Sequence, residues 1–261
     1  MSKGDERELA VLELLRNNAK LSTEDVAALL AISDSSVRRL FLSLERSGQV
    51  VRVYGGIMLA ANQAAAYSFT ELEKQYIAEK RSIAQYAANL LEDADSIYLD
   101  SGTTLLQLAI AIKERIRHKD LHDLRIVTNS YANLDVLNDV CEVILIGGTY
   151  RPTRKDFAGY AAEKFVQSFN YRKTFLGADG LDLNEGFMGT DTDTARLNEI
   201  LLARSESVYV LLDSSKIGRR SFVTYAPADK IKAVITDQRL APETEDRCLQ
   251  RGIKIVKAAG I

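Results

Sequence analysis

Cysteine is almost missing from this 261-residue chain: Cys141 and Cys248 are the only two. Two thiols so far apart form neither a disulfide framework nor a metal-ligand spacing. The expectation is two reduced, partly buried cysteines, with no metal and no cofactor. Proline is scarce, at three. Long apolar runs are absent too. The longest, Val26–Ile32, falls far short of the roughly twenty residues of a membrane-spanning helix. The first residues, with Asp5, Glu6 and Glu8, are too polar for a signal peptide. A cytoplasmic protein with no membrane partner is expected. Neither charge is in excess: 34 Lys and Arg oppose 36 Asp and Glu, a net charge of −2. That excludes a uniformly basic nucleic-acid coat and leaves room for a local stripe of charge.

What is present is ordinary globular composition, with 46% hydrophobic and 27% charged residues. The length suits one large α/β domain or two domains.

The chain has two halves with different patterning. Residues 6–46 hold three short helical patterns. Leu9, Leu12 and Leu15 repeat every third residue in the first. Ser22 is placed to cap the second, with Asp25 at the capping-box position and Val26, Leu29 and Leu30 as its apolar face. Ser33 is placed to cap the third, where Val37, Leu40, Phe41 and Leu44 form one stripe at i, i+3, i+4 and i+7. Gly48 ends it. Val50–Val53 and Ile57–Ala60, separated by Tyr54-Gly55-Gly56, read as a small hairpin. Residues 61–68 carry no charge and read as a linker. A helical pattern follows from about Thr70 to Leu91, with a possible break near Glu79. Strand-like runs then appear at 96–100, 125–128, 142–146, 174–178, 208–212 and 232–236. They alternate with helix-like runs near 103–116, 130–138, 160–169, 191–204 and 243–251. That alternation implies right-handed crossovers and a mostly parallel sheet. The domain reading is 1–60, a connection at 61–78, and 79–261.

Two helices joined by the tight turn Ala31-Ile32-Ser33 suggest a helix-turn-helix whose second helix reads the major groove of double-stranded DNA. With the apolar stripe facing inward, Ser35, Ser36, Arg38 and Arg39 face outward near the helix start. Either arginine suits a bidentate pair with guanine, and the serines suit bases or phosphates. Arg52 and Tyr54 on the hairpin are placed for backbone phosphates. Against this stands the balance of charge: residues 1–60 hold eight basic and eight acidic side chains. An interaction module fits that balance equally well.

In the second half, Ser96–Asp100 reads as a strand, and Ser101-Gly102-Thr103-Thr104 opens the next helix. Outward N–H groups beside several hydroxyls make a phosphate cradle. Other strand ends arrive at the same face: Asn129-Ser130, Gly147-Gly148, Asp179-Gly180 and Asp213-Ser214-Ser215-Lys216. Ligands of open parallel sheets bind outside the carboxyl ends of the strands. Lys216 is placed to neutralise a phosphate, and Asp100, Asn129 and Asp179 to bond sugar hydroxyls. Arg151, Arg154 and Lys155 add positive charge in a nearby loop, read as solvated in preference to touching the ligand.

The span Glu6–Leu59 resembles the winged helix-turn-helix of DeoR-type transcriptional regulators. The resemblance rests on Leu21-Ser22, Ser36-Val37-Arg38-Arg39, Leu44-Glu45, Gly48 and Tyr54-Gly55-Gly56. That family usually carries Asp and Leu where Leu40 and Phe41 stand, and His where Tyr54 stands. The replacements make the reading helix more positive and widen its apolar stripe. The resemblance implies DNA contacts from Ser22, Ser33, Ser35, Ser36, Arg38, Arg39, Arg52, Tyr54 and Gly55.

The span Glu79–Asp237 resembles the same family's effector domain. The shared strings are Glu79-Lys80-Arg81, Asp100-Ser101-Gly102-Thr103-Thr104, Thr128-Asn129-Ser130, Gly147-Gly148-Thr149, Leu176-Gly177-Ala178-Asp179-Gly180, Asp213-Ser214-Ser215-Lys216, Gly218-Arg219-Arg220 and Thr236-Asp237. One departure is Gly186–Asp193, where the family often has Gly-hydrophobic-Thr-Thr. The resemblance implies an α/β fold similar to sugar-phosphate isomerases and CoA transferases. It also implies a phosphorylated sugar or related metabolite as effector, a homodimer or homotetramer, and a role as repressor in carbohydrate metabolism. The effector site would be Asp100–Thr104, Asn129, Ser130, Gly147, Gly148, Asp179, Gly180 and Lys216. The competing reading is a sugar-phosphate isomerase working through Asp179, Asp182 and Lys216. Isomerases of the related fold carry an Asp where this chain has Leu176, so a non-enzyme is expected. A constitutive DNA-binding protein with a dead sensor is the third reading.

Overall fold

The computed structural model describes residues 3–18, 20–53, 56–59 and 67–259. The chain divides into two compact units, residues 1–67 with 220–222, and residues 68–219 with 223–261.

The first unit holds helices α1 (Lys3–Asn17), α2 (Thr23–Leu30) and α3 (Asp34–Arg46), then strands β1 (Val50–Val53) and β2 (Gly56–Leu59). Ser22 caps α2 in a reciprocal box with Asp25, which satisfies two otherwise orphaned backbone donors. Ala31, in the left-handed region, ends that helix and swings the chain into Ser33, the cap of α3. Val37, Leu40, Phe41 and Leu44 are all buried. They pack with Val11, Leu15, Val26 and Ile57 into one small core. Two expected core leucines are outside it: Leu9 is 53% and Leu29 62% exposed. Leu9 precedes the buried Val11 by two residues, which puts it on the opposite side of a 3.6-residue turn. On α2, Val26, Ala27 and Leu30 set the inner face, whose centre lies roughly 100° around the helix from Leu29. β1 and β2 pair antiparallel, and Leu21 bridges to Ile57 as a further rung.

In the second unit the expected helix from Thr70 is two helices, α4 (Phe69–Lys74) and α5 (Ile77–Ala88). The break falls at Tyr76, in the left-handed region with φ 51°, three residues before the expected point. There follow β3 (Ser96–Leu99), α6 (Thr103–Arg117), β4 (Arg125–Thr128), α7 (Tyr131–Leu137) and β5 (Glu142–Leu145). After a hairpin, β6 (Thr149–Arg151) and β7 (Asp156–Ala158), come α8 (Tyr160–Val166), β8 (Tyr171–Gly177), β9 (Gly180–Asp182) and β10 (Gly186–Gly189). The chain ends through α9 (Thr192–Arg204), β11 (Ser205–Leu211), β12 (Val223–Ala226), β13 (Ala233–Thr236), α10 (Pro242–Leu249) and β14 (Ile255–Lys257).

Seven strands form one parallel sheet in the order β14-β13-β11-β8-β3-β4-β5. Side chains alternate across it. Ile97, Leu99 and Phe175 pack with Ile83, Ala87, Leu108 and Ile112 on one face. Tyr98, Leu176 and Val210 pack with Val166, Leu197, Leu201 and Cys248 on the other. The result is a three-layer α/β unit with helices on both faces. The chain enters at β3 and steps outward to β5. It returns on the other side of β3 as β8, and steps outward again to β14. The reversal between β3 and β8 is a topological switch point, where crevices open in such sheets.

Candidate functional site

The loops after β3 and β8 meet at that switch point. Asp100, which follows β3, is buried. Its Oδ1 accepts the N–H of Ser101 at 2.7 Å, and its Oδ2 accepts the N–H of Gly177 at 3.0 Å. Asp100 therefore ties the two loops together. Burial pushes its carboxyl up to about 7, against the pull of the Gly177 and Ser101 N–H groups. Gly102 follows with φ +117°, a backbone conformation that L side chains rarely adopt. Helix α6 starts there without a side-chain cap. Its first-turn N–H groups, beside Thr103 and Thr104, remain donors for an acceptor from outside the helix.

The cradle is backed by buried charge. Ser101 Oγ donates to Asp156 Oδ2 at 2.9 Å. Arg151 grips Asp156 with two bonds of 2.8 and 2.7 Å and reaches Asp191 Oδ1 at 2.7 Å. Arg154 pairs with Asp191 Oδ2 at 2.8 Å and also touches the Thr190 hydroxyl. Burial works against the charge of Asp191, but Arg154 and Arg151 hold its carboxyl below the ordinary value. Asp191 also caps α9. The expectation that Arg151 and Arg154 sit in a solvated loop is thus corrected. Both turn inward because the buried Asp156 and the partly buried Asp191 need counter-charge. Lys155 lies over the ring of Phe69.

The remaining expected residues divide by role. Asp179 accepts the N–H of Thr190 at 3.0 Å, just past β8. Lys216 Nζ donates to the carbonyl of Ala178 at 3.1 Å, which brings it to the same strand end. Gly180 opens β9. Asn129 is fully buried; its Nδ2 donates to the Phe157 carbonyl and its Oδ1 has no partner. Ser130 caps α7 by accepting the Asn133 N–H, a structural task. Gly147 and Gly148 lie after the edge strand β5. A Cβ at Gly148 would stand 2.6 Å from the Ala158 carbonyl oxygen, so the second glycine serves the close approach of β7.

One residue of this cleft escapes sequence reading. Lys80, on the first turn of α5, is 2% exposed and donates to the Leu72 carbonyl at 2.6 Å. Burial, and after it the charge of Lys216, holds its pKa down to about 8. A lysine between Glu79 and Arg81 at a helix start looks solvated, and no local signal says otherwise.

In the first unit, Arg38 and Arg39 are exposed on α3 beside Ser35. Ser33, Ser35 and Ser36 share hydroxyl contacts of 3.0 Å at the helix start. The Ser22 hydroxyl is engaged with Asp25. Arg52 is turned toward α3, 3.5 Å from Glu45 and 3.3 Å from the Arg38 carbonyl. Tyr54 and Gly55 lie outside the described residues.

The DeoR-like helix-turn-helix domain matches residues 7–63, and the DeoR C-terminal sensor domain matches residues 75–238. The chain belongs to the DeoR family of transcriptional regulators. It is 29% identical to the HTH-type transcriptional regulator GlpR of Haloferax volcanii, over 96% of each chain. It is 30% identical to a lactose phosphotransferase system repressor of Staphylococcus epidermidis, over 87% of this chain and 89% of that one. Among solved structures, ribose 5-phosphate isomerase A of Methanocaldococcus jannaschii aligns with 53% of each chain at 17% identity and a TM-score of 0.40. For this DeoR-family chain, α2 and α3 are the helix-turn-helix, and the β3/β8 crevice lies in the sensor domain.

Proposed function

We propose that this DeoR-family protein is a cytoplasmic repressor of a carbohydrate-metabolism operon, released when a phosphorylated sugar or related metabolite enters the β3/β8 crevice. The observation that carries the reading is the meeting of the uncapped α6 N-terminus with Lys216 at the switch point. A relative named for a lactose phosphotransferase system supports the choice of effector class. Arg38 and Arg39 would read the operator. A homo-oligomer would place two reading helices on repeated half-sites. Residues 61–78 would connect reader to sensor.

Catalysis is not part of the proposal. Leu176 cannot act as acid or base. Asp100 and Asp179, the carboxylates beside the crevice, are committed to backbone N–H groups. The test is fluorescence anisotropy on operator DNA with a panel of sugar phosphates. One of them should shift operator affinity by roughly 5- to 150-fold. A panel that changes neither operator affinity nor melting temperature would overturn the reading.

A further inference from the structure

The outward face of α3 carries one residue that neither charge nor core packing explains. Leu42 is 41% exposed and takes no part in the small core of the first unit. At about 100° per residue, it lies about 150° around the helix from the middle of the buried stripe Val37, Leu40, Phe41 and Leu44. Ser35 stands within about 20° of the same line, and Arg38 and Arg39 flank it at about 40° on one side and 60° on the other. Arg46 follows one turn further on. The Arg39 Nε donates to the Ser35 carbonyl at 3.4 Å, so that side chain runs toward the helix start, away from Leu42. Of the two acids on α3, Glu45 faces Arg52 and Asp34 stands about 80° off the line. Leu9 and Leu29 are exposed as well, but on α1 and α2, outside this arginine-flanked face. The base edges of the major groove are polar with one exception, the C5-methyl of thymine. A leucine framed by arginines gains on DNA only against that methyl. Set against any other base edge, it leaves a donor or acceptor unpaired.

We propose that Leu42 is a specificity-determining residue of the reading helix, packing on the C5-methyl of a thymine in the operator. This rests on the reading of α3 as the helix that enters the major groove. Leu42 lies about 4.5 Å from Arg39 and about 6 Å from Arg38 along the axis, roughly one to two base-pair steps. Arginine selects guanine by hydrogen bonds, and Leu42 selects thymine at a neighbouring position by apolar contact.

The test uses the full-length protein and a duplex that the wild type selects from a random-sequence library, with binding read by fluorescence anisotropy. Each thymine of that duplex is replaced in turn by deoxyuridine, which removes the methyl group and keeps every hydrogen-bonding group. One replacement should weaken wild-type binding about fourfold, the worth of one buried methyl-sized group. Leu42→Ala should bind the parent duplex more weakly and be indifferent to that same replacement. Its melting temperature should match the wild type, because Leu42 is outside the core. A fresh selection with Leu42→Asn should lose the thymine at that position, since an amide prefers the edge of adenine. Wild-type indifference to deoxyuridine at every thymine overturns the proposal, with no variant needed. If Arg38→Ala or Arg39→Ala still relaxes base preference, α3 then stands as the reader without Leu42. A deoxyuridine effect that Leu42→Ala retains in full, or an unchanged thymine in the Leu42→Asn selection, overturns it too. A library that yields no enriched duplex removes the reading helix and the proposal together.

Discussion

Ser101 donates its hydroxyl proton to Asp156 across 2.9 Å, and Asp156 is gripped at both oxygens by Arg151. A serine of the cradle thus rests on a buried ion pair supplied by the β6–β7 hairpin. The two ends of this relationship differ in energy. Ser101→Ala removes one hydrogen bond and should cost about 1 kcal/mol. Asp156→Ala strands the Arg151 guanidinium and should cost about 3 kcal/mol or more, although Asp191 remains as a second partner. Urea unfolding of the two variants checks the order. Equal costs would mean that the ion pair adds nothing to the hairpin's attachment.

Asp100 carries a pH dependence. Its carboxyl lies near 3.8 in an unfolded chain and at about 7 in the fold. Between those values the folded chain keeps a proton that the unfolded chain has released. The stability so gained is complete below pH 4 and is lost as the pH rises through 7. Asp100→Asn cannot titrate. The wild type should therefore lose stability relative to Asp100→Asn between pH 4 and 7, by on the order of 1–3 kcal/mol. Denaturation curves at pH 5 and pH 8 read the difference. Parallel pH profiles would assign the titration to another group.

Arg38 and Arg39 stand exposed on the reading helix. Under the proposed function, Arg38→Ala or Arg39→Ala should weaken operator binding by about 1–3 kcal/mol and relax preference at one base position. Anisotropy against operators substituted position by position is the measurement. Undiminished discrimination in both alanine variants would move base reading off α3.

Arg52 yields a different expectation from the one its place on the wing suggests. Its guanidinium faces Glu45 and the Arg38 carbonyl, so it braces the wing against the reading helix. Arg52→Ala should weaken operator binding while leaving the salt dependence unchanged. A slope of log affinity on log salt reduced by about one unit would restore a direct phosphate contact.

Much of the architecture was legible in sequence because it repeats. The stripe Val37, Leu40, Phe41 and Leu44 reads as one helix face and is one. The strand at Arg125–Thr128 lies where its apolar run is. The missed elements are short. β6, β7, β9 and β14 have three residues each and β10 and β12 four, too few for a two-residue period to rise above chance. The cradle residues Asp100–Thr104 were visible as a strand-turn-helix string. Their partners were not. Asp156 and Gly177 approach them only through the sheet order, and no local pattern links Ser101 to Asp156. Arg151 and Arg154 looked solvated for a related reason: Asp191, the carboxylate they share, comes from a distant part of the chain. Lys80 shows the limit most plainly, since a charged triplet at a helix start carries no mark of burial.

The pairing of β3 with β8 also bears on how the chain is made. Ile97, Tyr98 and Leu99 find their neighbours at Lys173, Thr174 and Phe175. A ribosome delivers residues from the N-terminus onward. The three helices and the β1–β2 hairpin are therefore complete long before the crevice has its second wall. Pairing of such distant segments is slow to nucleate. A polypeptide arrested before Tyr171 would hold the whole helix-turn-helix and only one side of the sensor. Premature termination in the second half would thus leave a fragment that keeps its reading helix and has no means of responding to a metabolite.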